Sequence, residues 1–114
     1  MRKLALIVVV PVATAVLTIP AFAATKSVKV GDDWFVSGSG SAAPTVTIKR
    51  NDTVRWRFVG GDEHTVSVKS GPAKFSSPAK QSGTYVKKIT KAGTYRIYCK
   101  IHGMEQSMKL KVIG

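Results

Sequence analysis

The chain holds one cysteine, two histidines and six acidic residues in 114. With Cys99 alone, no disulfide can form within it. A domain that goes without disulfides in an oxidising compartment must be held by its core or by a metal. Six carboxylates face 18 lysines and arginines, for a net charge of +12. That excess steers a protein toward acidic partners and anionic surfaces. No nucleic-acid-binding motif accompanies it, so nucleic acid is not the expected partner. No stretch of ten residues carries apolar positions at helical spacing, which excludes a helical bundle.

What is present begins with MRKLALIVVVPVATAVLTIPAFAA. Arg2 and Lys3 lead an apolar run, and Ala21-Phe22-Ala23 has the small-x-small form of a signal-peptidase site. Residues 1–23 read as a secretory signal, cleaved before Ala24. As an uncleaved anchor the run is barely long enough to span a bilayer, and Pro11 interrupts it. No cysteine lies at the cleavage point, which argues against a lipid anchor. Residues 24–114 then form one small domain of roughly 90 residues, periplasmic or extracellular. It is expected to be monomeric, with no stable membrane insertion. Loss of Arg2 and Lys3 leaves it strongly basic.

The domain reads as all-β. Ser27 to Val30, Thr45 to Lys49, Thr53 to Phe58, His64 to Val68, Thr84 to Ile89, Thr94 to Cys99 and Met108 to Val112 are expected strands. In Thr53-Val54-Arg55-Trp56-Arg57-Phe58 the apolar residues share one face and the arginines the other, the period of a half-buried strand. Trp34 and Phe35 read as core aromatics. Ser70 to Gly83 reads as a long loop with room for one short helical turn. About seven to eight short strands at regular spacing predict a Greek-key β-sandwich. Tyr95, just after the Gly93 turn, has the position of a tyrosine corner as well as that of an ordinary core tyrosine.

The soft donors are crowded into Tyr98-Cys99-Lys100-Ile101-His102-Gly103-Met104-Glu105-Gln106-Ser107-Met108. Strand parity turns Cys99 inward with Tyr95 and Ile97. His102 follows three residues later, past the strand end. His64 opens another strand just after the Gly60-Gly61-Asp62-Glu63 turn. A thiolate and two imidazoles gathered at one pole of a sandwich match a trigonal copper site with a weak axial fourth ligand.

Three segments resemble the cupredoxins, the blue-copper proteins of the plastocyanin, pseudoazurin and amicyanin group. They are TVTIKRNDTVRWRF, GDEHTVSV and GTYRIYCKIHG. The resemblance implies a type 1 copper site with His64, Cys99 and His102 as strong ligands, one copper per chain cycling between Cu(I) and Cu(II). Asn51 stands where a glycine is usual, a position that asparagine tolerates. Thr65 stands where asparagine is common after the first histidine, which predicts looser hydrogen bonding between the ligand loops.

The family's axial methionine lies three to five residues after the second histidine and four before the first core residue of the last strand. Met104 falls short of that window and Met108 beyond it. Gln106 fits both counts and shares an inward face with Met108, Leu110 and Val112. Gln106 is therefore the leading axial candidate, with Met108 and Met104 as alternatives. The resemblance implies a one-electron carrier rather than an enzyme, since oxidase or nitrite reductase chemistry needs further copper ligands and both histidines are already used. His102 would lie at the surface within a patch of Ile101, Gly103 and Met104, facing redox proteins with acidic docking surfaces. A copper carrier or storage protein of the same fold remains open, as does a metal-free basic sandwich that binds anionic polymers.

Overall fold

A computed structural model describes residues 23–38 and 43–114. The signal segment, residues 1–23, lies outside them except for Ala23. Eight strands are present: β1 (Thr25–Gly31), β2 (Trp34–Val36), β3 (Thr45–Lys49), β4 (Thr53–Phe58), β5 (Ser67–Ser70), β6 (Gly83–Lys88), β7 (Gly93–Cys99) and β8 (Gly103–Ile113). They form two four-stranded sheets, ordered β2-β1-β4-β6 and β3-β8-β7-β5. β1 runs parallel to β4 and β3 parallel to β8, while the remaining pairs are antiparallel.

Alternation sets the register of each sheet, because a slip of one residue would turn every apolar side chain outward. Val54, Trp56 and Phe58 of β4 are buried, as are Val46 and Ile48 of β3, and Tyr95, Ile97 and Cys99 of β7. Arg55 and Arg57 stay exposed on the outer face. Each fully buried side chain of this size contributes about 1.5–3 kcal/mol. Trp56 lies at the middle of the core, 6.1 Å from Phe75 and 5.9 Å from Tyr85 between ring centroids. Its indole N–H donates to Met108 Sδ at 3.4 Å. Tyr95 is buried and its hydroxyl donates to the Lys91 carbonyl at 2.7 Å, the geometry of a tyrosine corner.

Several sequence expectations shift. Trp34 is only half-buried, because it ends the two-residue β1–β2 turn and its ring lies over Gly31. A Cβ on Gly31 would come within 2.0 Å of that ring. The segment 70–83 contains no helical turn; its backbone instead bridges back to Ser67 and His64. His64 is held in such a bridge, with Lys80, ahead of β5 rather than inside it. Asn51 adopts φ 76°, the turn conformation expected of an asparagine replacing glycine.

The last strand is longer than expected. β8 begins at Gly103 because its register against β7 slips at the pole: Tyr98 pairs with Ser107, but Cys99 pairs with Gly103. Met104, Glu105 and Gln106 therefore have no opposite number, and the strand bulges there. The β1–β2 turn, the β4–β5 loop and the β7–β8 turn converge at this end of the sandwich.

Candidate metal centre

Cys99 ends β7 facing inward and is fully buried. A tight turn through Lys100 and Ile101 brings His102 back over it, so that His102 Nδ1 lies 3.4 Å from Cys99 Sγ. Gly103 closes that turn at φ 69°, a conformation that glycine adopts without strain. His64 arrives from the β4–β5 loop, fixed by two backbone hydrogen bonds with Lys80, each 2.9 Å. It is fully buried, and its Nδ1 lies 4.0 Å from Cys99 Sγ. One donor atom from each of these three residues falls within a mutual 4.8 Å.

Gln106 reaches the same point. Its Oε1 lies 2.8 Å from His64 Nδ1. Its Nε2 donates to the carbonyls of Gly31 at 2.7 Å and Trp34 at 3.1 Å. Carbonyls only accept, so the amide nitrogen must face them and the oxygen must face the histidines. Met108, next on the same inward face, has its sulfur taken by the Trp56 indole. Met104 is exposed.

This donor set fits a metal ion. Metal–ligand bonds to imidazole nitrogen and thiolate sulfur are about 2.0–2.3 Å, which puts two trigonal donors roughly 3.6 Å apart. The sulfur–nitrogen separations of 3.4 and 4.0 Å bracket that value. Two imidazoles, a thiolate and a weaker carbonyl oxygen are copper donors by type and number.

Local electrostatics also favour a thiolate. Burial pushes the Cys99 thiol up, but the Thr65 N–H at 3.4 Å, the His102 backbone and ring, and the Ile101 N–H outweigh it, and its pKa falls to about 7. His102 is raised, chiefly by its hydrogen bond to Cys99. Burial lowers His64, yet hydrogen bonds to Asp32, Cys99 and Gln106 carry it above its ordinary value.

The sandwich is related in structure to known copper proteins. A reduced proline-to-phenylalanine variant of amicyanin superposes with a TM-score of 0.62 at 25% identity, over 77% of this chain and 81% of that one. A purple cupredoxin from Nitrosopumilus maritimus superposes at 0.61 and 20% identity, over 76% and 98%. The chain has the cupredoxin fold. A methionine-to-glutamine variant of amicyanin in its Cu(I) form also superposes, at 0.56 and 25% identity over 76% and 82%. No protein-family model matches this cupredoxin-like sequence, and no curated protein does.

Within this cupredoxin frame the expectation for Thr65 is overturned. Its hydroxyl accepts the Lys100 N–H at 2.9 Å and shares a 2.9 Å hydrogen bond with Ser67 Oγ, while its own N–H meets Cys99. Threonine ties the two ligand loops with a single hydroxyl oxygen placed to accept the Lys100 N–H. Thr65→Val removes that acceptor and keeps the shape. It is expected to destabilise the metal-free protein by about 1–3 kcal/mol, read by urea unfolding.

Two further residues at the pole, Asp32 and Asp33, are not among the sequence candidates. Asp32 Oδ1 lies 2.9 Å from His64 Nε2, and Asp33 Oδ1 lies 3.5 Å from His102 Nε2. Asp32 is held well below the usual carboxylate range, at about 2, first by His64 and then by the Gly61 and Asp62 N–H groups. Nothing in the sequence singles this pair out, since Asp62 and Glu63 adjoin each other in the same way.

Proposed function

We propose that the protein is a type 1 copper protein that carries single electrons outside the cytoplasm. His64, Cys99 and His102 are the strong ligands and Gln106 the weak axial one. The observation that carries this reading is the meeting of one thiolate, two imidazoles and one carbonyl oxygen at a single buried point. Copper there would supply a one-electron couple between Cu(I) and Cu(II). The protein's part is to hold donors that suit both states in one geometry. His64 is locked on both ring nitrogens, Cys99 is anchored by Thr65, and Gln106 is clamped by two carbonyls. Such fixing limits the rearrangement that accompanies electron movement.

His102 is the route to the surface. Its side chain is 26% exposed, and Ile101 and Met104 stand exposed beside it. A redox protein docking there meets the ring edge. The visible and EPR spectra of the purified protein with Cu(II), together with voltammetry, test this reading. An intense thiolate-to-copper band and a reversible wave are expected. A colourless Cu(II) complex would overturn it. Release of copper to a metal-free acceptor without reversible voltammetry would favour a copper carrier instead.

The partner is proposed to be acidic, and the mature protein to act as an exported monomer. Among the described residues no lysine or arginine pairs with a carboxylate; the only charged contacts involve histidines. Exposed Lys49, Arg96, Lys109 and Lys111 on one sheet, and Lys29, Arg55 and Arg57 on the other, are therefore free to steer an anionic partner. Reversing Lys109 and Lys111 to glutamate is expected to slow association about tenfold at low salt and to flatten its ionic-strength dependence. Asp32, Asp33, Asp62, Glu63 and Glu105 lie at the pole itself. Rates that rise with salt would mean these carboxylates govern docking and that the partner is cationic.

A further inference from the structure

His64 has no contact with solvent, and both of its ring nitrogens are spoken for. Nδ1 faces Cys99 and Gln106, and Nε2 faces Asp32. A carboxylate accepts and does not donate, so Nε2 carries a proton. Gln106 Oε1 also only accepts, so without metal Nδ1 carries one too, and a metal ion would take the place of that second proton. Asp32 is itself built into place. The Gly61 N–H reaches its Oδ2 at 3.0 Å and the Asp62 N–H its Oδ1 at 3.1 Å.

Two glycines make this approach possible. A Cβ on Gly60 would lie 2.3 Å from Asp32 Oδ1, so only glycine lets the β4–β5 loop close over the carboxylate. Gly31 has no room for a Cβ beneath Trp34, and the carbonyls of both residues hold Gln106. Asp33 turns the chain at φ 64°. One turn, Gly31 to Trp34, thus reaches His64 and Gln106 together. By contrast, the Asp33 to His102 contact is longer and exposed.

The geometry points to Asp32 as the positioning residue of the metal centre: it holds the proton on His64 Nε2 and fixes the ring plane so that Nδ1 faces the metal, and its negative charge makes Nδ1 a stronger donor that favours Cu(II). This inference rests on the copper reading above. A carboxylate behind a ligating imidazole raises its basicity, and losing such a partner costs about 10–100-fold in metal affinity. Asp32 and Gln106 then act in one direction, since a harder axial oxygen also favours Cu(II) over Cu(I). The β1–β2 turn sets both.

Asp32→Asn and Asp32→Ala separate orientation from charge. Asparagine can still accept the Nε2 proton but carries no charge, whereas alanine does neither. In the metal-free protein, NMR of His64 is expected to show an Nε2–H protected from exchange in the wild type and in Asp32→Asn, and a rapidly exchanging one in Asp32→Ala. In the copper protein, Asp32→Asn is expected to weaken Cu(II) binding about tenfold with Cu(I) binding unchanged, a rise in potential of about 59 mV. Asp52→Asn, which removes a carboxylate at the opposite end of β4, serves as the charge control and is expected to change neither. The inference is overturned if Asp32→Asn keeps the wild-type Cu(II) affinity and potential, or if the His64 Nε2–H exchanges freely in the wild type. If Asp32→Ala does not fold, the near-isosteric Asp32→Asn decides the matter. If the wild type shows no thiolate-to-copper band, the copper reading fails, while the metal-free Nε2–H still tests Asp32.

Discussion

Cu(II) at a hundredfold excess over its dissociation constant is expected to raise the unfolding midpoint by about 10–20 °C, and Cys99→Ser to remove most of that rise. A ligand that binds only the folded state stabilises it by about 2.7 kcal/mol at that excess. In a domain of this size each kcal/mol shifts the midpoint by about 4–8 °C. The effect is large because the chain has little else to draw on: a small core and no disulfide. Cys99 is the ligand to change. Its sulfur faces the Thr65 N–H and the His102 ring, and a serine hydroxyl in its place can still accept from them. The metal-free variant should therefore unfold within a few degrees of the wild type. The measurement is a pair of thermal scans for each protein, with and without Cu(II). An equal rise in Cys99→Ser would mean that copper binds elsewhere, and the proposed centre would fall.

The sandwich was legible because alternation is a local signal. The turn of Val54, Trp56 and Phe58 inward, with Arg55 and Arg57 outward, is a matter of neighbours two apart. The same parity carried Cys99 inward at the end of β7 and put Gln106 on the inner face of β8. Contacts between distant loops were not legible. Asp32 and His64 are 32 residues apart, and nothing within Gly31-Asp32-Asp33-Trp34 distinguishes a turn aspartate from one that faces a histidine. Thr65 misled for a related reason. Comparing residue types suggested a lost amide, but the loop spacing lets a hydroxyl reach the Lys100 N–H. The start of β8 was misplaced because the slip at Met104 to Gln106 breaks the alternation on which the reading depends.

Gln106→Met is expected to raise the reduction potential by on the order of 100 mV, equivalent to about a fiftyfold change in the balance of Cu(I) over Cu(II) affinity. The amide oxygen is the harder donor, and the axial ligand is a principal control of potential at His2Cys sites. The substitution has a second effect that a solvated loop residue would not produce. Gln106 is fully buried, and its amide N–H groups satisfy the Gly31 and Trp34 carbonyls. Methionine cannot donate, so a carbonyl deprived of its partner in a buried position costs about 1–3 kcal/mol. The metal-free variant should thus be less stable while the copper protein is more oxidising. Voltammetry and urea unfolding read the two effects separately. Met108→Leu is the contrast: it removes the acceptor of the Trp56 indole and should lower stability with little change in potential. If Met108→Leu moves the potential and Gln106→Met does not, the axial ligand is the methionine, and the glutamine serves only to hold the β1–β2 turn against the sandwich.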